Sequence, residues 1–244
     1  MIQLIRNAST LALVASAPFS NAEEMVQILN TGLWHGNEVT VDAGADWWGI
    51  FPEGDGFTLQ AAPVTITVEH DAIVDAEGEA TGKRVSVPQE AEPVLLVRGI
   101  AGLKEGRLAP LYHQPHYAYL FPSQTLWLRI KDGEHKLART VAALGTTEEN
   151  GITPEPFVHN YTLKLYAGSH PVTSSQVLYT AERVYEEARP SIVWAGDIDR
   201  DGQVDLLLNT TYHYNVTRLV LYLSSAAKEG ELVGKVAEWR TTGC

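Results

Sequence analysis

Pro63-Val-Thr-Ile-Thr-Val68 sets an apolar side chain at every second position, with threonine between them. Successive side chains of an extended strand point to opposite faces, so a period of two marks a strand with one face turned inward. Valine, isoleucine and threonine also favour extended backbone, because branching at Cβ restricts χ1. Working outward, the same texture recurs in Gly82-Lys-Arg-Val-Ser-Val87, Pro93-Val-Leu-Leu-Val97, Thr125-Leu-Trp-Leu-Arg-Ile130 and Tyr161-Thr-Leu-Lys-Leu-Tyr166. It returns near the C-terminus in Arg218-Leu-Val-Leu-Tyr-Leu223 and Val233-Gly-Lys-Val-Ala-Glu-Trp239. Turn clusters separate these runs at Glu53-Gly-Asp-Gly56, Glu77-Gly78, Lys131-Asp-Gly133 and Lys228-Glu-Gly230. Asp-Gly between extended runs favours hairpins, since glycine accepts the positive φ such turns need. The pattern predicts an all-β fold of antiparallel sandwich or meandering-sheet type.

The first residues read as a secretory leader. Arg6 supplies a positive start, Thr10-Leu-Ala-Leu-Val-Ala-Ser-Ala17 an apolar run, and Ser20-Asn-Ala22 a small-x-small cleavage site. Residues 1–22 are therefore expected to be a signal peptide, and the protein to be exported, periplasmic or extracellular. A short helix is expected just after it, around Ala22-Glu-Glu-Met-Val-Gln-Ile-Leu29. No other apolar stretch approaches spanning length, so membrane insertion is not expected.

The rest divides at Gly145-Thr-Thr-Glu-Glu-Asn-Gly-Ile-Thr-Pro-Glu-Pro156, the longest polar stretch. It implies an N-terminal β region over 23–145, a loop or linker over 146–156, and a C-terminal β region over 157–244. The two β regions could equally form one domain. The formal net charge is −12, and loss of the single charge in the leader, Arg6, makes it −13. Nucleic-acid binding requires a basic face, and no Lys/Arg cluster exists. Attraction to cations fits this balance, as does simple solubility. The one cysteine, Cys244, cannot form an internal disulfide.

One stretch carries specific chemistry: Gly196-Asp-Ile-Asp-Arg-Asp-Gly-Gln-Val-Asp-Leu206. Asp197, Asp199 and Asp201 alternate, Gly202 allows a sharp turn, and Asp205 follows. Ca²⁺ takes six to eight hard oxygen ligands, and carboxylates spaced this way in a curled loop can converge on one ion. Gln203 would add its backbone carbonyl, and Asp205 would bind directly or through water. Without a cation, four clustered carboxylates repel one another. The expected cofactor is thus Ca²⁺, bound in a strand–loop–strand hairpin between Ser191-Ile-Val-Trp194 and Val204-Asp-Leu-Leu-Leu208. The loop is not a full EF-hand, because Leu208 stands where a bidentate Glu belongs. It resembles the Gly-Asp-x-Asp-x-Asp-Gly-x-x-Asp-Leu element of FG-GAP and VCBS-type repeats, which implies an extracellular, calcium-binding β structure. The resemblance covers this loop and its flanks alone, in a single copy, so it does not imply a propeller. Arg200 replaces a glycine common at that position but removes no ligand.

Other constellations are weaker. His113 and His116 are three residues apart, but Pro115 between them forbids the helix that would align them on a metal. Trp47 and Trp48, with Trp34, Trp127 and Tyr119, offer a sugar-stacking platform if exposed and core packing if not. His213, within Tyr212-His-Tyr-Asn215 just after the calcium strand, is a candidate for a polar site near the ion. Asn160, Asn209 and Asn215 fit the glycosylation sequon. Gly-x-Ser-x-Gly, a P-loop and His-Glu-x-x-His are all absent. The sequence therefore favours a non-enzymatic, exported calcium-binding β protein with a structural or interaction role. The alternatives are a calcium-dependent hydrolase, acting on carbohydrate near Asp205 and His213, and a carbohydrate-binding module using Trp47 and Trp48.

Overall fold

The structure is a computed structural model that describes residues 25–108, 118–119, 125–130, 133–140, 143–147, 155–167, 174–185 and 188–243. The expected leader, His113 and His116 lie outside the described residues. The fold is all-β and antiparallel throughout, with no α-helix among the described residues.

Two sheets come from the first half of the chain. One joins β1 (Gln27–Leu29), β7 (Leu95–Arg98), β3 (Trp48–Glu53), β4 (Gly56–Ala61) and β8 (Gly106–Leu108) side by side in that order. The other orders β2 (Gly32–Trp34), β6 (Gly82–Ser86) and β5 (Thr65–Glu69). Glu53 pairs with Gly56 across the expected hairpin turn, where Gly54 takes φ 60°. The helix expected over Ala22–Leu29 is not formed over its described part. Gln27–Leu29 is instead β1, with Ile28 opposite Val97, and both Ile28 and Leu29 are buried. A segment this short cannot repay helix nucleation, whereas pairing with β7 buries both side chains at once.

A third sheet contains β10 (Thr125–Ile130), β11 (Gly133–Thr140), β13 (Glu155–Ala167), β12 (Ala143–Thr147) and β14 (Ser174–Tyr185). Here β13 pairs with β11, β12 and β14 along different parts of its length. Thr146 faces Pro156 and Thr147 faces Glu155. The polar stretch 146–156 thus connects two paired strands of one sheet.

The fourth sheet positions the site. Its order is β18 (Gly234–Thr242), β17 (Val216–Leu223), β16 (Asp205–Asn209), β15 (Ser191–Gly196) and β9 (Ala118–Tyr119). Both of its faces are covered. Trp194, Leu207, Leu219, Leu221 and Trp239 pack into one core cluster with Leu29, Ile50, Leu59 and Leu95. Ile192, Leu206, Leu208, Val220 and Tyr222 pack into another with Tyr161, Leu163, Leu165 and Val184. The regions 23–145 and 157–244 therefore share a core. Burial on both faces explains why Leu206-Leu-Leu208 is an unbroken apolar run, each residue with 0% exposure. Each such leucine stabilises the fold by roughly 1.5–3 kcal/mol relative to exposure.

Candidate metal centre

The loop between β15 and β16 is held by the register of its own hairpin. Gly196 pairs with Asp205 and Ala195 with Leu206, so the intervening residues bulge from the sheet end. Gly196 lies beneath the Trp194 indole, and a Cβ there would overlap the ring. Two further positions take left-handed backbone, Arg200 at φ 64° and Gly202 at φ 86°. Those two reversals curl the loop tightly enough to turn its carboxylates inward.

Three of the expected ligands converge. One oxygen from each of Asp197, Asp199 and Asp205 lies within 4.8 Å of the others. Asp205 is fully buried at 0% exposure. Its Oδ2 accepts the Ile198 N–H at 2.8 Å, while Oδ1 accepts the Ser224 N–H at 2.9 Å and the Ser224 hydroxyl at 3.1 Å. Asp197 accepts N–H bonds from Asp201 at 3.1 Å and Gly202 at 3.0 Å. Asp199 accepts the Asp201 N–H at 3.3 Å and the Ser225 hydroxyl.

The carboxylate of Asp201 stands outside this group of three. Asp201 Oδ1 accepts the Gln203 N–H at 2.8 Å and its Oδ2 accepts the Ser224 hydroxyl at 2.8 Å. Ser224 thus bridges Asp201 to Asp205, which keeps the fourth carboxylate at the rim of the cluster.

Burial dominates the electrostatics. It pushes the Asp205 carboxyl up to about 7, against the opposing pull of its N–H bonds, and the Asp199 charge adds to the rise. Asp197 is likewise raised, first by burial and then by the charges of Asp201 and Asp199. A cation among these oxygens would remove both penalties at once, since it supplies the opposite charge that desolvation makes costly to lack.

Ser224 and Ser225 do not stand out in the sequence as part of this site. They follow β17, and the pairing of Leu206 with Tyr222 carries them back to the loop. The only hint is the break in apolar pattern at Leu223-Ser-Ser-Ala226.

His213 is not brought to the loop. It follows the far end of β16, about 13 Å along the strand from Asp205 at 3.3 Å per residue. There its ring packs against Tyr214, with centroids 4.4 Å apart, and its Nδ1 bonds Asn215 Oδ1. Asp205 and His213 thus stand at opposite ends of β16. The tryptophan pair lies partly in the core. Trp47 has 0% exposure, donates its Nε1–H to the Asp42 carbonyl at 3.3 Å, and carries Arg98 4.8 Å from its ring centroid. Trp48 is half-buried within β3. Trp47 is thus wholly taken up by the core, while Trp48 packs against the same core with part of its surface exposed.

No protein-family model matches the chain, and neither the curated proteins nor the solved structures compared with it contain a match.

Proposed function

We propose that Asp197, Asp199 and Asp205 bind one Ca²⁺, and that the ion fastens the β15–β16 hairpin of an exported β protein whose role is structural or in interaction. The observation that carries this reading is a fully buried carboxylate, Asp205, with two further carboxylate oxygens within 4.8 Å of its own. All-oxygen, all-carboxylate donors suit a hard cation over zinc or copper. Asp201, the Gln203 carbonyl and water would supply the remaining oxygens of the six to eight Ca²⁺ takes, with Ser224 and Ser225 bonded to the carboxylates around it. Export, the role implied by the leader-like residues 1–22, brings the chain into millimolar calcium. With a Kd near 0.1 mM, linkage then adds about 1.4 kcal/mol of stability. For a chain whose one cysteine rules out an internal disulfide, that increment is useful.

The test is thermal unfolding in EDTA against about 2 mM Ca²⁺, for the wild type and Asp199→Ala, with Mg²⁺ as a competing ion. A calcium-dependent rise in midpoint that the substitution abolishes supports the site. No rise in the wild type, together with no heat of binding by calorimetry, overturns it.

A further inference from the structure

A second polar site lies away from the carboxylate loop, along the outer edge of β18. The segment from His35 to Thr40 runs beside that strand. Trp239 Nε1–H donates to the Glu38 carbonyl at 3.0 Å, and the Thr242 N–H donates to the Glu38 carboxylate. Between segment and strand opens a cavity of about 370 Å³, whose wall takes in Asn37, Glu38, Thr40, Glu238, Trp239, Arg240 and Thr242. Asn37 also lines a second cavity of about 550 Å³, on the side of His35, Thr81 and Lys83. Asn37, an exposed residue, thus lines both cavities.

The lining separates into engaged and free groups. Glu238 is held by Arg218 at 2.6 and 2.9 Å and by Lys235 at 2.5 Å. Glu38 is held by the Thr242 and His35 N–H groups. Arg240 has no carboxylate partner among the described residues, and its guanidinium instead stacks 5.1 Å from the ring centroid of Tyr212. The Asn37 amide and the Thr40 and Thr242 hydroxyls also have no protein hydrogen bond among the described residues. Tyr212, the ring that Arg240 reaches from the groove wall, is 49% exposed and so stands at the groove's margin.

From this set we infer that the β18 groove binds a neutral saccharide chain. The N–H edge of the stacked Arg240 guanidinium, with the amide and hydroxyls, presents donors and acceptors that match adjacent sugar hydroxyls. An exposed tyrosine ring gives the apolar face of a pyranose a surface to stack on. The chain's net charge of −12 opposes the approach of a polyanion and so disfavours nucleic acid or an acidic glycan. Trp239 and Val74 give the lining two apolar patches set among polar groups, the mixed surface a sugar chain presents, rather than the continuous apolar wall that a lipid needs. The saccharide alternative raised for Trp47 and Trp48 thus moves to the exposed ring of Tyr212. The site is independent of the metal centre.

The test is a calorimetric and NMR titration of the full chain, in calcium buffer, with cello-, xylo-, manno- and laminari-hexaose and with oligogalacturonate as the acidic control. At least one neutral hexaose should bind at sub-millimolar Kd. Arg240→Ala and Tyr212→Ala should each weaken it roughly ten-fold while leaving the melting midpoint unchanged, because both side chains are on the surface. Shifts confined to Asn37, Tyr212, Arg240 and Thr242 support the assignment. No binding by any neutral hexaose at 10 mM, binding unaffected by either substitution, or equal binding of the acidic control overturns it.

Discussion

Ser224 holds Asp205 through both backbone and side chain, its N–H at 2.9 Å and its hydroxyl at 3.1 Å from the same carboxylate oxygen. That double contact ties the turn after β17 to the first residue of β16, and it separates two substitutions that look alike in sequence. Asp205→Asn removes the buried charge but sets an amide against two N–H donors, so it should abolish the calcium-dependent rise in midpoint. Ser224→Ala keeps the N–H bond and loses only the hydroxyl, which should cost about 1 kcal/mol and leave a calcium response. Denaturant unfolding with and without calcium distinguishes the two. A calcium response surviving in Asp205→Asn would remove Asp205 from the ligand set.

The raised carboxyls of Asp205 and Asp197 give the metal-free protein a definite pH dependence. A carboxyl whose folded pKa lies above its unfolded value binds more protons when folded, so stability falls as pH rises between the two values. For Asp205 that window runs from 3.8 to about 7, and the loss across it is on the order of 4 kcal/mol. Asp197 adds a smaller loss of the same sign. In EDTA the chain should therefore gain stability on going from pH 7.5 to pH 5. In saturating calcium the trend should flatten or reverse, since protons then compete with the ion. Parallel pH profiles with and without calcium would contradict the proposed occupancy.

Arg200 occupies left-handed backbone, at φ 64°, where glycine would be unstrained. Its guanidinium donates to the carbonyls of Lys104 at 3.2 Å and Glu105 at 3.3 Å, which fastens the loop to the connection before β8. Those bonds offset a backbone cost of about 1 kcal/mol. Arg200→Ala keeps the strain and loses the bonds, so it should destabilise by about 1–2 kcal/mol. Arg200→Gly loses the bonds but relieves the strain, and should stand about 1 kcal/mol above the alanine variant. Chemical denaturation gives both values. Calcium affinity should stay within about three-fold of wild type in either, because the guanidinium reaches away from the carboxylates.

These contacts also show where sequence reading stops. Gly82–Ser86 and Thr125–Ile130 were legible as strands because one face of each is apolar and the other polar, or nearly so. Gln27–Leu29 carries too few residues to express either period, and its cross-strand partner Val97 lies far away in sequence. Asp197, Asp199 and Asp205 are readable as a group because a single curled loop brings them together. Ser224 and Ser225 are not, since the register between β16 and β17 places them there. Trp47 shows the same limit from the other side. An adjacent tryptophan pair reads identically whether it faces a sugar or the core, and only the packing against Arg98 decides it.

His35 Nδ1 and Asp71 Oδ2 lie 2.5 Å apart, and this pair anchors the connection between β5 and β6 to the end of β2. Asp71 also organises that connection, accepting the Ile73 N–H at 3.1 Å and donating its own N–H to Asp75 at 2.7 Å. Asp75 in turn accepts the Thr81 N–H at 2.8 Å. The bond to Asp71 raises the His35 pKa above 6.5, with burial opposing it and the Asp71 and Glu38 charges adding to it. The bond to His35 lowers the Asp71 pKa below 3.8. The stabilisation from histidine is fully present below pH 6.5 and is lost as pH rises through the raised folded value. That from Asp71 is present above pH 3.8 and is lost as pH falls through the lowered one. The pair should therefore hold residues 71–81 most firmly between those limits. By NMR, His35 should titrate above 6.5, and amide exchange in 71–81 should quicken as it deprotonates. His35→Ala should show that faster exchange already at pH 5.5, with the metal loop unaffected. An ordinary His35 midpoint, or unchanged exchange in the alanine variant, would mean that Asp71 and Asp75 order the connection without it.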